Sequence, residues 1–212
     1  MHSVLCFTEL LSLFISLIGY ICCIVALFIP NWLTFSSGLL VNESYLIGLW
    51  QTCVIQNIGS SVCQNFGSLL DLPLQIQMGR VLVCLSLSSG TLGFLMSTPA
   101  ITCVKCLDDS EYYIRRIFII FGGVLFTLAG ALIFSYVSYF AYDSLTKFWD
   151  MNIPKDVPRW EYGDAMFFAW AGGFLLLSGG IVLIASQIYL TDELKEPPPI
   201  GISPNNSSTE YV

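Results

Sequence analysis

Eight cysteines, one histidine and fifteen acidic side chains are the groups of this 212-residue chain with chemistry to offer, and their placement excludes most of it. The single histidine is His2, and no Cys/His spacing suits a metal. No glycine-rich run cradles a phosphate, and the apolar segments carry no facing pair of carboxylates. Neither an enzyme nor a cofactor is expected. Six of the cysteines lie in or beside apolar runs, and only Cys53 and Cys63 occupy a polar, foldable stretch. A bridge between those two would close a loop of about ten residues and restrict the unfolded chain by roughly 2 to 3 kcal/mol. Their chemistry is that of a staple.

The stretch they sit in runs from Trp32 to Arg80. Its pieces Leu33 to Ser36, Gly48 to Ile55 and Val62 to Phe66 alternate with period two, are rich in β-branched and aromatic residues, and are broken by Gly, Ser and Asn turn signals. A small antiparallel sheet is predicted, with Cys53 and Cys63 on successive strands.

The elements that must hold this sheet are apolar. Hydrophobic residues make up 55% of the chain and charged ones 11%, where a soluble domain has about 25% charged residues. Four runs are long enough to cross a bilayer: Phe7 to Ile29, Val81 to Val104, Ile117 to Ala141 and Ala165 to Ile188. The first follows a short N-terminus (residues 1–6) without a basic region and exceeds the 7 to 15 residues of a signal-peptide core, so it reads as a retained helix. Glu9, near its end, reads as a boundary residue reaching the interface. Residues 30–80 and 142–164 form segments on one side, and 105–116, a short link that makes the second and third spans antiparallel neighbours, lies on the other. Gly122, Gly123 and Gly130 in the third span and Gly172, Gly173, Gly179 and Gly180 in the fourth permit close backbone approach in lipid. The fold class is therefore a mainly α membrane protein, a left-handed four-helix bundle carrying a small antiparallel β-sheet. The net charge of −7 argues against nucleic acid or an anionic lipid surface as the main partner.

Four spans place both termini on one side. Counting Lys105, Arg115, Arg116 and Lys195 against Arg80, Lys147, Lys155 and Arg159 gives a tie. Cysteine chemistry decides it, because a Cys53–Cys63 bridge persists only in an oxidising compartment; Asn42, in Asn42-Glu43-Ser44, is a candidate N-glycosylation acceptor in the same segment. The sheet is then extracellular and the termini cytoplasmic. The tail, residues 189–212, is polar and proline-rich and is predicted to be disordered. Its last residues, Glu210, Tyr211 and Val212, suit a PDZ domain, which adds a terminal strand and pockets an apolar last side chain.

Trp32, Gly48-Leu49-Trp50, Cys53, Cys63 and Arg80, in that order between the first two spans, resemble the W…GLW…C…C…R signature of the claudins, and the similarity covers the chain from about Leu5 to Gln187. The resemblance implies a structural adhesion protein of tight junctions at the plasma membrane. Its sheets would associate side by side into strands and meet their counterparts on the opposing cell, sealing the paracellular space or lining a pore through it. The implied partners are copies of itself or other claudins in cis and trans, PDZ scaffold proteins and membrane lipid. Phe148, Trp149 and Asp150 fall where the family's second loop contacts the opposing claudin, although Met151 stands where many members carry proline. Glu161-Tyr162-Gly163 with Ala165 resembles the family's entry into the last span. Cys103 and Cys106 are candidate palmitoylation sites. Gln64 follows Cys63 where charge-selective members can carry an acid, and Glu43 and Asp71 are the acids of the first loop, which predicts weak charge preference. The signature is also similar to that of peripheral-myelin-type proteins and of auxiliary subunits of glutamate receptors or calcium channels, which dock on a partner in their own membrane. The short middle link and terminal Tyr-Val favour the claudins.

Overall fold

The computed structural model of the chain describes residues 2–36, 44–55, 60–67, 72–101, 112–148 and 160–195. Its four apolar runs become helices α1 (His2–Phe28), α2 (Leu74–Ser97), α3 (Tyr112–Phe148) and α4 (Asp164–Lys195), each long and apolar enough to cross a membrane. α1 stops because Pro30 has no N–H to continue the ladder, and α2 starts directly after Pro73, whose carbonyl accepts from Ile76 N. A short 3₁₀ turn, Thr98–Ala100, ends the second span.

Helix limits are wider than hydropathy alone predicts. α2 begins at Leu74 because Gln75, Gln77 and Arg80 lower the apolarity of its first turns without preventing helix, and α4 continues to Lys195, where Glu193, Leu194 and Lys195 are good helix formers. α3, at 37 residues, is about 55 Å long at 1.5 Å per residue. That exceeds the roughly 30 Å of bilayer hydrocarbon, so α3 is longer than a crossing requires.

α1 packs on α4, α4 on α3 and α3 on α2, while α1 meets α2 only lightly. The contacts are close because small residues line them. A Cβ at Gly130 would come within 2.6 Å of Leu177 N and 2.7 Å of Gly173 O, so the α3–α4 crossing admits no side chain there. Buried hydroxyls add hydrogen bonds between helices: Ser86 Oγ donates to Ala129 O at 2.7 Å and Ser89 Oγ to Leu125 O at 3.0 Å, joining α2 to α3.

Glu9 departs from the interfacial position expected of it. It is 0% exposed and faces α4, where its Oε1 accepts a 2.6 Å hydrogen bond from Gln187 Nε2. Wholly buried polar groups need such partners, and this one ties the first helix to the last at the end of the bundle remote from the sheet.

The sheet contains β1 (Leu33–Ser36), β2 (Ser44–Ile47), β3 (Gln51–Ile55), β4 (Ser61–Asn65) and β5 (Trp160–Tyr162), in the order β4-β3-β2-β1-β5 and antiparallel throughout. β1 to β4 come from the connection between α1 and α2, and β5 from that between α3 and α4. Both connections leave the same end of the bundle, so the sheet caps that end.

Candidate functional site

The signature residues converge where the sheet meets the helices. Trp32 is 1% exposed, with its ring 6.0 Å from those of both Tyr136 and Phe140 on α3. Its indole Nε1 donates to Ala26 O at 3.0 Å. In a continuing helix that carbonyl would accept from residue 30, which is Pro30 and has no N–H. Trp32 thus caps the helix that precedes it. Its backbone meanwhile joins both sides of β1, donating to Ile47 O and accepting from Gly163 N, each at 2.9 Å.

Asn31 completes the junction. Its Oδ1 accepts from Thr34 Oγ1 at 2.7 Å, its Nδ2 donates to Asp164 Oδ2 at 3.2 Å, and its carbonyl accepts from Ala165 N at 3.0 Å. The start of α4 is therefore bound to the end of α1.

The Gly48-Leu49-Trp50 turn forms the second half of the site. Gly48 N donates to Gln51 O at 3.0 Å, and a Cβ at Gly48 would lie 2.5 Å from Pro30 Cα, so only glycine fits between the turn and the residues that follow α1. Leu49 is buried in the core. Its carbonyl accepts a 2.7 Å hydrogen bond from Nε of Arg80, a side chain only 8% exposed. The Arg80 guanidinium lies 4.8 Å from the Trp50 ring centroid and 5.6 Å from that of Phe66. Phe66 N in turn donates to Trp50 O at 3.3 Å. Among the described residues, two aromatic faces and a carbonyl hold the cation, which suits a planar guanidinium better than an ammonium.

Cys53 and Cys63 are joined as a disulfide, opposite one another in the β3–β4 register with Cα atoms 4.0 Å apart. Cys53 is buried and Cys63 exposed, so the bridge ties the outermost strand to its neighbour. Replacing both by serine is expected to cost about 2 to 3 kcal/mol and to fray β4 first. Thermal unfolding with and without reductant checks this, and a melting temperature indifferent to reduction would refute it.

At the other edge, the Tyr162 hydroxyl donates to Ala141 O at 3.0 Å, and its ring meets Trp170 edge-on at 6.1 Å. Partial burial pushes the pKa of its hydroxyl up from the ordinary tyrosine value. Asn31, Phe66, Tyr136 and Tyr162 thus belong to a site built around the signature. The placement of Asn31 beside Trp32, and of Pro30 at the end of an apolar run, was the available signal for the first of them. For Tyr136, inside a uniformly apolar run, there was none.

Among the described residues no group of three or more His, Cys, Asp and Glu side chains could hold a metal ion. Phe148 ends α3, but its side chain lies outside what is described, as do Trp149, Asp150, Asn42, Cys103, Cys106, Glu210, Tyr211 and Val212.

Residues 6–183 match the PMP-22/EMP/MP20/Claudin family. The chain is 30% identical to claudin-7 of Homo sapiens over 207 residues, covering 96% of this chain and 97% of that protein. It is 28% identical to claudin-1 of Mus musculus over 208 residues, with the same two coverages of 96% and 97%. With claudin-4 of Homo sapiens it shares 29% identity over 188 residues, 87% of this chain and 88% of that protein.

Proposed function

Because the chain belongs to the PMP-22/EMP/MP20/Claudin family, as a divergent claudin, we propose that this tight-junction membrane protein polymerises into strands through its extracellular sheet and closes the space between cells. Its role is structural and not enzymatic.

The observation that carries the reading is β4. All five of its residues, Ser61–Asn65, are exposed, and it is hydrogen-bonded on the β3 side alone within the sheet. Soluble proteins blunt such an edge with charge, proline or a bulge, and Ser-Val-Cys-Gln-Asn carries neither charge nor proline. The disulfide fastens this strand to the sheet, and the Trp32 and Arg80 contacts fasten the sheet to the bundle. An unpaired edge held rigid in this way can add a strand from a neighbouring copy without first ordering itself.

In this reading the sheet faces outside and the termini face the cytoplasm. Phe148, Trp149 and Asp150 contact a claudin of the opposing cell, while Glu210, Tyr211 and Val212 engage PDZ scaffolds. Asn42 is the candidate glycan acceptor outside, and Cys103 and Cys106 are the candidate lipidation sites inside. Expression alone in cells that lack junctions tests the central claim. Continuous strands at cell contacts are expected, whereas diffuse membrane label would favour a subunit that binds a partner in its own membrane.

A further inference from the structure

Between α2 and α3, in the turns nearest the sheet, lies a cavity of about 310 Å³. Its α2 wall is Leu74, Met78 and Leu82, spaced by four and therefore on one stripe of the helix, with Gln75 beside them. Ser135 and Tyr139, again four apart, face them from α3, and the buried Tyr136 lines the inner side. The hollow follows from residue sizes. A Cβ at Gly79 would run into the Tyr136 phenol, so the glycine admits that ring against α2, while the small Ser135 leaves open the space beside it. Leu74, Met78 and Tyr139 are exposed, so the cavity opens outward where a spanning helix meets lipid.

The polar groups at this cavity are few and uncharged. The Tyr136 hydroxyl donates to Gln75 O at 3.3 Å, so its proton is engaged and its oxygen can still accept. Ser135 Oγ donates back to Leu132 O at 3.1 Å. The side-chain amide of Gln75 makes no hydrogen bond among the described residues. An amide offers a donor and an acceptor together, which is what a hydroxyl group needs. No lining residue is cationic, and Arg80, farther along α2, is committed to the Leu49 carbonyl and the Trp50 and Phe66 rings. A phosphate headgroup would find no counter-charge here.

We infer that this cavity binds a sterol of the surrounding membrane, a rigid and uncharged amphiphile. Its one hydroxyl meets the Gln75 amide and the Tyr136 oxygen, and its ring body lies on Leu74, Met78, Leu82 and Tyr139. The volume stands at the lower end of the roughly 300 to 1,000 Å³ of small-molecule sites, which suits a ligand held partly by protein and partly by lipid. A flexible acyl chain can cover the apolar walls, but it leaves the amide unanswered and loses more conformational freedom on being held. A bound sterol braces Tyr136, whose ring packs on Trp32 beneath the sheet, so occupancy is expressed as stability of that junction. The inference rests on the cavity and on the membrane crossing, and not on strand formation.

The test uses the full-length protein in phosphatidylcholine vesicles containing a photoactivatable, diazirine-bearing cholesterol, with labelled peptides identified by mass spectrometry. Label is expected within residues 74–82 and 135–139, displaced by unlabelled cholesterol and not by its 3α-hydroxyl epimer at the same concentration. The wild type should also melt higher with cholesterol than with the epimer. Gln75→Leu should weaken labelling about fivefold, the loss of one net hydrogen bond. Ser135→Phe fills the hollow and should abolish it, and Leu92→Phe, at an exposed α2 position outside the cavity, should match the wild type. Label spread evenly over the four spans would overturn the inference, as would equal displacement by the epimer. Equally strong labelling of these residues by a phosphatidylcholine with a diazirine in its acyl chain would assign the cavity to acyl chains, and crosslinks joining two copies there in place of sterol label would assign it to contact between copies; either overturns it. Should the variants fail to fold, the comparison of cholesterol with its epimer on the wild type decides alone.

Discussion

Trp32→Ala is expected to remove about 3 to 5 kcal/mol of stability, the range for emptying a buried large aromatic position. The loss has two parts. Removing the ring opens a void against Tyr136 and Phe140, and removing the indole N–H leaves Ala26 O without the donor that Pro30 cannot supply. Trp32→Phe separates them, since it keeps most of the packing and should lose roughly the 1 kcal/mol of a single net hydrogen bond. Thermal unfolding in detergent measures both, alongside delivery of the variants to the cell surface. Equal losses for the two variants would mean that the hydrogen bond, and not the packing, holds this junction.

Arg80→Ala should cost about 2 to 4 kcal/mol, because it strips a charged donor from the buried Leu49 carbonyl and a cation from between two rings. The damage should be local. Far-UV circular dichroism would show the helices retained while limited proteolysis finds the Gly48-Leu49-Trp50 turn newly open. Arg80→Lys is the sharper variant: an ammonium keeps the charge but lacks the planar face that lies over Trp50 and Phe66. Wild-type melting in that variant would show that charge alone suffices and that the stacked geometry is incidental.

The parts of this molecule that were readable in the chain are those whose signals are local. Four apolar runs gave four helices, and the period-two pieces gave β1, β4 within one residue, and the whole of β3 with the Gly48-Leu49-Trp50 turn wrongly added at its start. β2, with only Ser44–Ile47, is too short to show a period. β5 was invisible as a strand because Trp160–Tyr162 acquires its partner from β1, far away in the sequence, and nothing local marks that pairing. The five signature positions and the cystine were identifiable by type and spacing. Their working partners were not: among the described residues Arg80 meets no acid, so charge patterning does not find its contacts with the Leu49 carbonyl and the Phe66 ring. Glu9 misled for a related reason. A carboxylate near the end of a span reaches headgroups cheaply, and nothing local marks the hydrogen bond from Gln187, far along the chain, that helps to satisfy it inside the bundle.

The order of the strands also bears on how the protein is made. β1 lies between β2 and β5, and the side chains that fasten that seam, Asn31 and Asp164, are 133 residues apart. A nascent chain that has inserted two helices can already build β1 to β4 and oxidise its cystine, but one flank of β1 stays bare until the ribosome has passed Tyr162. Immature chains therefore present two sticky borders, and finished ones replace the longer exposed flank of β1 with three residues of β5. Chains terminated between the third and fourth helices should accordingly stick to one another during biosynthesis, through a surface that the completed protein never shows.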